Sequence, residues 1–191
     1  MEGYYDYHPT HYLERPLVLV SFVNHLTRSV AHTLAATTGL PLGLLDELVE
    51  HQMGGSAHRV IEEQGLHAWR QYEKQELIKI VRSRPAGVIA LGEGVLADPE
   101  NLNLTLDESE LVYLSVPEEE TCRRASQQSA NHSASLWAEV HAINGPHEES
   151  LQALFEGRRF TYELAHHTVD VSNQSILQTV DQLRDRLSPV H

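Results

Sequence analysis

Cysteine is almost absent from this chain: Cys122 is the only one in 191 residues. That excludes an internal disulfide and a thiolate metal cage. Positive charge is scarce too. Fourteen Lys and Arg face 27 Asp and Glu, for a formal net charge of −13 with histidine neutral. Such a surface repels phosphodiester backbones, and no basic cluster offsets it, so nucleic acid is not an expected partner. No apolar run approaches the roughly 20 residues needed to span a bilayer, and no membrane partner is expected either. Residues 1–15 are rich in Tyr and His instead of carrying a basic stretch followed by a greasy one, which does not read as a secretory signal. A soluble, reducing, cytoplasmic setting is the default expectation.

What is present is the pattern of one α/β domain. Hydrophobic residues make up 41% of the chain, enough for an ordinary core at this length. Residues 16–23 are apolar and β-branched, as a strand buried on both faces requires. A helix is expected over 28–38, closed by Gly39. Helical patterns follow at 46–52, at 56–63 beyond Gly54-Gly55, and at 68–82. A second strand over 87–91 runs into Gly92-Glu93-Gly94. A third is expected over 111–116 and a fourth over 168–171, before a last helix over 175–187. The alternation predicts a three-layer α/β/α fold around a central parallel sheet. Residues 1–15 read as an arm ahead of a domain over 16–191, and the polar stretch 123–149 as a lid-like insertion. Thirteen histidines are scattered. His166 and His167 are adjacent and point to different sides, and His8 and His11 lack acidic or thiolate company, so no metal site is expected.

Gly39-Leu40-Pro41, Asp46-Glu47-Leu48-Val49-Glu50, Gly54-Gly55-Ser56, Glu63-Gln64-Gly65 and Trp69-Arg70-Gln71-Tyr72-Glu73 form one collinear series. Glu156-Gly157-Arg158-Arg159 recurs near the end. This series resembles the shikimate kinase family, small P-loop kinases that phosphorylate a ring hydroxyl of shikimate, over most of 16–187. The resemblance implies a P-loop-kinase-like fold, with Asp46 binding substrate hydroxyls and Arg70 and Arg158 gripping its carboxylate. Gly92, Glu93 and Gly94 fall at the family's triple glycine beside the substrate. Planar guanidinium forks suit a carboxylate, and an aspartate accepts hydrogen bonds from ring hydroxyls. Glu73, one turn after Arg70, either orients it or forms a surface pair.

The nucleotide half departs from the family. A working phosphate loop reads Gly-x-x-x-x-Gly-Lys-Ser/Thr, whose backbone N–H groups, lysine and hydroxyl serve phosphate and Mg²⁺. Here Ser21 stands at the first glycine, Leu26 at the second, Thr27 at the lysine and Arg28 at the metal-binding hydroxyl, with Asn24 between. A one-residue shift puts Arg28 at the lysine and Ser29 at the hydroxyl but leaves Phe22 and Thr27 at the glycines. Leu44 replaces a metal-supporting aspartate. Glu93 places a carboxylate where an anion should be welcome, and no arginine occurs between Ala125 and His147. Phosphoryl transfer depends on positioning and charge neutralisation. The expectation is therefore a kinase-like chain without ordinary ATP turnover and without a cofactor. It would bind a small cyclic carboxylate or a protein partner as a sensor or regulator. The alternative is a divergent kinase using Arg28 with ATP and Mg²⁺. A third reading is an interaction protein, a homodimer through the aromatic arm.

Overall fold

The computed structural model describes residues 11–22, 24–127, 134–143, 147–185 and 188–189. The chain runs β1 (His11–Tyr12), β2 (Leu17–Val20), α1 (Asn24–Thr38), β3 (Leu42–Leu44), α2 (Leu45–Met53) and α3 (Ala57–Val81). It continues through β4 (Val88–Ala90), a 3-10 turn (Val95–Ala97), α4 (Pro99–Glu108), β5 (Glu110–Ser115) and α5 (Glu118–Gln127). Last come α6 (Ala134–Ala142), α7 (His147–Tyr162), β6 (His167–Asp170), α8 (Ile176–Arg184) and β7 (Ser188–Pro189). Five strands form a parallel sheet in the order β3-β4-β2-β5-β6. β1 and β7 pair antiparallel, with His11 opposite Pro189 and Tyr12 opposite Ser188.

Two-residue alternation along buried strands assigns the layers. Val18 and Val20 of β2 share a core with Leu77, Val81, Leu136, Val140, Leu151 and Phe155, so α3, α6 and α7 cover that face. Leu17 and Leu19 pack with Val30 and Leu34 of α1 and with Val180 and Leu183 of α8 on the other. The expected three-layer α/β/α fold is what these contacts build. Both faces being covered is why the central strands β2, β4 and β5 lack a polar side.

Several boundaries differ from expectation, each for an identifiable reason. The first helix starts at Asn24, not at residue 28, because tertiary partners satisfy its first turn: the Asn24 N–H donates to the Glu93 carboxylate at 3.1 Å. β3 escaped notice because it is three residues long. Its Gly43 lets Ile80 pack where a Cβ would sit, 1.9 Å from the Ile80 Cδ1. α4 was missed although it carries a start signal, with Asp98 capping the Glu100 N–H and Pro99 in the first turn. The helical patterns at 56–63 and 68–82 are numbered together as α3, but the backbone at Gly65 (φ 86°, ψ 161°) is not helical and kinks the element between them, as the two patterns imply. β6 begins and ends one residue earlier than expected, and α8 closes at Arg184. Apart from a turn at Ile143, the polar stretch 123–149 is helical where it is described; Leu136, Val140 and Leu151 anchor α6 and α7 in the core. Residues 1–10 of the arm, 128–133 and 144–146 of the insertion, and Val23 lie outside the described residues. Among the described residues, no helix is long and apolar enough to cross a membrane, and no cluster of His, Cys, Asp and Glu is arranged to hold a metal ion.

Candidate functional site

The carboxyl ends of parallel strands are where open α/β sheets place their ligands, and here β4 ends in Gly92-Glu93-Gly94. A Cβ on Gly92 would lie 2.2 Å from Asp46 Oδ1. A Cβ on Gly94, whose φ is 82°, would lie 2.6 Å from the Nη2 atoms of both Arg70 and Arg158. Only glycine permits these approaches. Asp46 comes from the first turn of α2, Arg70 from α3 and Arg158 from α7. Residues spread over 112 positions thus meet at one strand end.

The arginines do not stand open. Arg70 Nη1 donates to Glu73 Oε2 at 2.5 Å, and Arg70 Nη2 donates to Glu139. Arg158 Nη2 donates to the other oxygen of the same Glu139 carboxylate, and its guanidinium lies 5.4 Å from the centre of the Phe22 ring. Glu73 is 1% exposed, which makes it a buried partner that orients Arg70, not a surface pair. Burial would pull Arg70 down, but the Glu73 and Glu139 carboxylates outweigh it and hold the guanidinium above its ordinary range. Burial pushes Glu73 up to about 7 in spite of the Arg70 charge. Asp46 is raised as well: burial outweighs the Asn24 hydrogen bond and the charges of Arg28 and Arg70.

Buried polar atoms without a hydrogen-bond partner concentrate here. Asp46 Oδ1 and Arg158 Nη1 are of this kind, while Trp69 is within hydrogen-bonding reach of Glu73 and Tyr162 of the Gly94 backbone. Such atoms are costly unless something polar meets them. Beside them is a cavity of about 160 Å³ reached by Asn24, Arg28, Asp46, Trp69 and Glu93. Pockets for drug-sized ligands run to roughly 300–1,000 Å³, so this one suits something smaller. A larger cavity of about 730 Å³ lies between α5 and α7, but neither arginine nor Asp46 lines it. The smaller cavity is the better candidate because Asn24, Asp46 and Glu93 line it, although Arg70 and Arg158 do not.

The segment aligned with the phosphate loop is short: β2 ends at Val20 and α1 begins at Asn24. The Thr27 hydroxyl donates to the Ser21 hydroxyl at 3.1 Å, both buried, and Leu26 packs against the core. Asn24 donates its side-chain amide to Asp46 Oδ2 at 2.6 Å. Arg28 pairs with Glu47 on α2, and Ser29 lies within α1 with its carbonyl accepting from Thr33. Sequence reasoning brought forward Asn24, Asp46, Arg70, Glu93 and Arg158, which meet. It missed Glu139, Phe22, Trp69 and Tyr162. Glu139 carried no usable signal, lying 69 positions from Arg70 in a polar stretch.

A shikimate kinase family model matches residues 28–188. The chain belongs to the shikimate kinase family. Shikimate kinase of Chlorobium chlorochromatii is 28% identical over 171 residues, 90% of either chain. That of Enterococcus faecalis is 27% identical over 172 residues, 90% of this chain and 97% of the relative. The structure of shikimate kinase from Acinetobacter baumannii in complex with shikimate has a TM-score of 0.77 at 22% identity, covering 90% of this chain and 92% of that one. That from Aquifex aeolicus gives 0.74 at 23%, over 88% and 94%. These two likenesses establish the fold.

The matches correct the expectation of a cofactor-free chain. The relatives are kinases over nearly their whole length, and membership of their family implies ATP and Mg²⁺. The residues at the start of α1 do not fit a nucleotide phosphate in the arrangement seen. The Asn24 N–H is committed to a buried carboxylate, Glu93, and the Ser21 and Thr27 hydroxyls are turned to each other. A phosphate approaching this helix end meets a negative charge where the helix dipole would otherwise attract it.

Proposed function

We propose that the chain is a divergent small-molecule kinase of the shikimate kinase type, with a remodelled phosphate loop and a small cyclic hydroxy acid as its acceptor. The observation that carries this reading is the convergence of Arg70 and Arg158 on a single carboxylate over Gly94. Guanidinium groups match a carboxylate through paired, charge-assisted hydrogen bonds, and the anion they hold here is a carboxylate. Asp46 Oδ1, buried and without a partner, is placed to accept the hydrogen of a ring hydroxyl. Its raised pKa brings the carboxylate closer to the range where a general base is effective.

Calorimetric titration with shikimate and quinate, together with ADP release from ATP and Mg²⁺, tests the reading. Binding of one acid and ADP release that depends on it are expected. If neither acid gives heat and neither raises ADP release, the reading fails. A second reading, a carboxylate receptor that binds without turnover, is favoured by Glu93 on the Asn24 N–H. Heat of binding without ADP release would select it.

A further inference from the structure

Arg158 is 5% exposed, and Arg70 is largely enclosed beside it. Two guanidinium groups in such a place need counter-charges whether or not a ligand is present, because an unpaired buried cation is strongly destabilising. Glu73 supplies one. The second is Glu139, whose two carboxylate oxygens are divided between Arg70 and Arg158. Asp46 stands within reach of the Arg70 charge as well, so the carboxylates already present match the two cations. A ligand carboxylate entering beside Glu139 would leave an excess negative charge in a poorly hydrated space. A ligand carboxylate entering in place of Glu139 would leave the balance unchanged.

The element that carries Glu139 is built so that this contact matters. Helix α6 spans nine residues, too short to be stable by itself. Leu136 and Val140, one turn apart, sink into the core under the sheet, and Glu139 lies beside Val140 with its side chain about one-fifth exposed. The helix is therefore held at two kinds of point: apolar contacts through Leu136, Val140 and the partly buried Trp137, and a carboxylate bridging α3 and α7. Losing the second leaves α6 attached by the first.

We infer that Glu139 is an internal stand-in for a ligand carboxylate, and that binding of a small carboxylic acid between Arg70 and Arg158 expels it and loosens α6. This rests on the proposed reading of the two arginines as an acceptor site. It adds that the free protein occupies that site itself, so that occupancy is coupled to the state of one short helix. Apparent affinity falls in proportion to the fraction of molecules in which Glu139 blocks the site.

The test uses the full chain, shikimate as probe, the Glu139→Gln variant, and hydrogen–deuterium exchange over residues 134–142. Glutamine keeps the shape but removes the charge that holds both arginines. Glu139→Gln is expected to bind shikimate about tenfold or more tightly than the unaltered chain. Exchange over 134–142 in the unaltered chain should rise on adding shikimate, towards the level of the ligand-free variant. Unchanged or weaker binding by Glu139→Gln overturns the inference while leaving the acceptor reading intact, as does exchange over α6 that stays constant or falls when shikimate binds. No heat with shikimate in either protein removes the acceptor reading and the inference with it. Should Glu139→Gln fail to fold, Glu139→Asp serves. Its shorter side chain cannot bridge both arginines, and the same rise in affinity and exchange is expected.

Discussion

Replacing Gly94 with alanine perturbs the site where both arginine tips close over the backbone. The new Cβ would stand 2.6 Å from Arg70 Nη2 and from Arg158 Nη2, where ordinary contact begins near 3.4 Å, so each tip must retreat by about 0.8 Å. The residue must also hold φ at 82°, which costs a side chain with a Cβ about 1–2 kcal/mol. Strained ion pairs add to that, and about 2–3 kcal/mol in total is expected. At about 2–4 °C per kcal/mol for a chain of this size, the melting temperature should fall by about 4–12 °C. Gly54→Ala is the matched control, since φ is 64° there and nothing lies within 4 Å of the added carbon. It should lose only the backbone part, about 2–8 °C. Displacing binding groups by close to 1 Å can cost up to about 100-fold, so Gly94→Ala should bind shikimate about 10- to 100-fold more weakly while Gly54→Ala binds it normally. Thermal melts and calorimetry on the two variants decide the matter. Equal melting losses with unchanged binding would show that the arginine tips are not held against Gly94, and would refute the reasoning.

Burial keeps Glu73 at about 7, above the value of about 4.3 for an unfolded glutamate. Between those limits the folded chain holds a proton that the unfolded chain has released, so stability falls as pH rises through the window, by on the order of 3 kcal/mol by pH 7. Glu73→Gln should remove that slope, leaving the one of the same sign from Asp46; parallel melting curves against pH for the two proteins would argue against it. Glu93→Gln takes a negative charge away from the start of α1. Like charges about 4 Å apart repel by up to about 4 kcal/mol near a protein surface, so titration with ADP should show at least about tenfold tighter binding, and an unchanged constant would mean that Glu93 does not guard that helix end. Arg28→Ala removes a half-exposed cation paired with Glu47 and should alter stability by less than about 1 kcal/mol. If Arg28 serves the phosphoryl group, acid-dependent ADP release should fall by about 100-fold or more; retained turnover would discharge it from that role.

The layers were legible in the sequence because they depend on local pattern. Short runs such as Leu17–Val20 and Val88–Ala90, separated by helical periods, admit little besides a covered parallel sheet. Asp46, Arg70 and Arg158 were legible for a different reason: each sits inside a stretch whose neighbours repeat a family pattern at the right intervals. The counter-charges were not. Glu73 could be placed one turn from Arg70, but whether it faced water or the interior depends on what α3 packs against, and only the fold put it at 1% exposure. Glu93 could be read as an anomaly among glycines, yet its contact with the Asn24 N–H spans 69 positions. Glu139 is one acid among 27 Asp and Glu, and nothing near it in the chain announces Arg70 or Arg158. A carboxylate's role is set by the charge and solvent around it, and those are supplied by segments distant in sequence. The sequence therefore determined which cations line the site, while the tertiary structure alone decided which anions neutralise them.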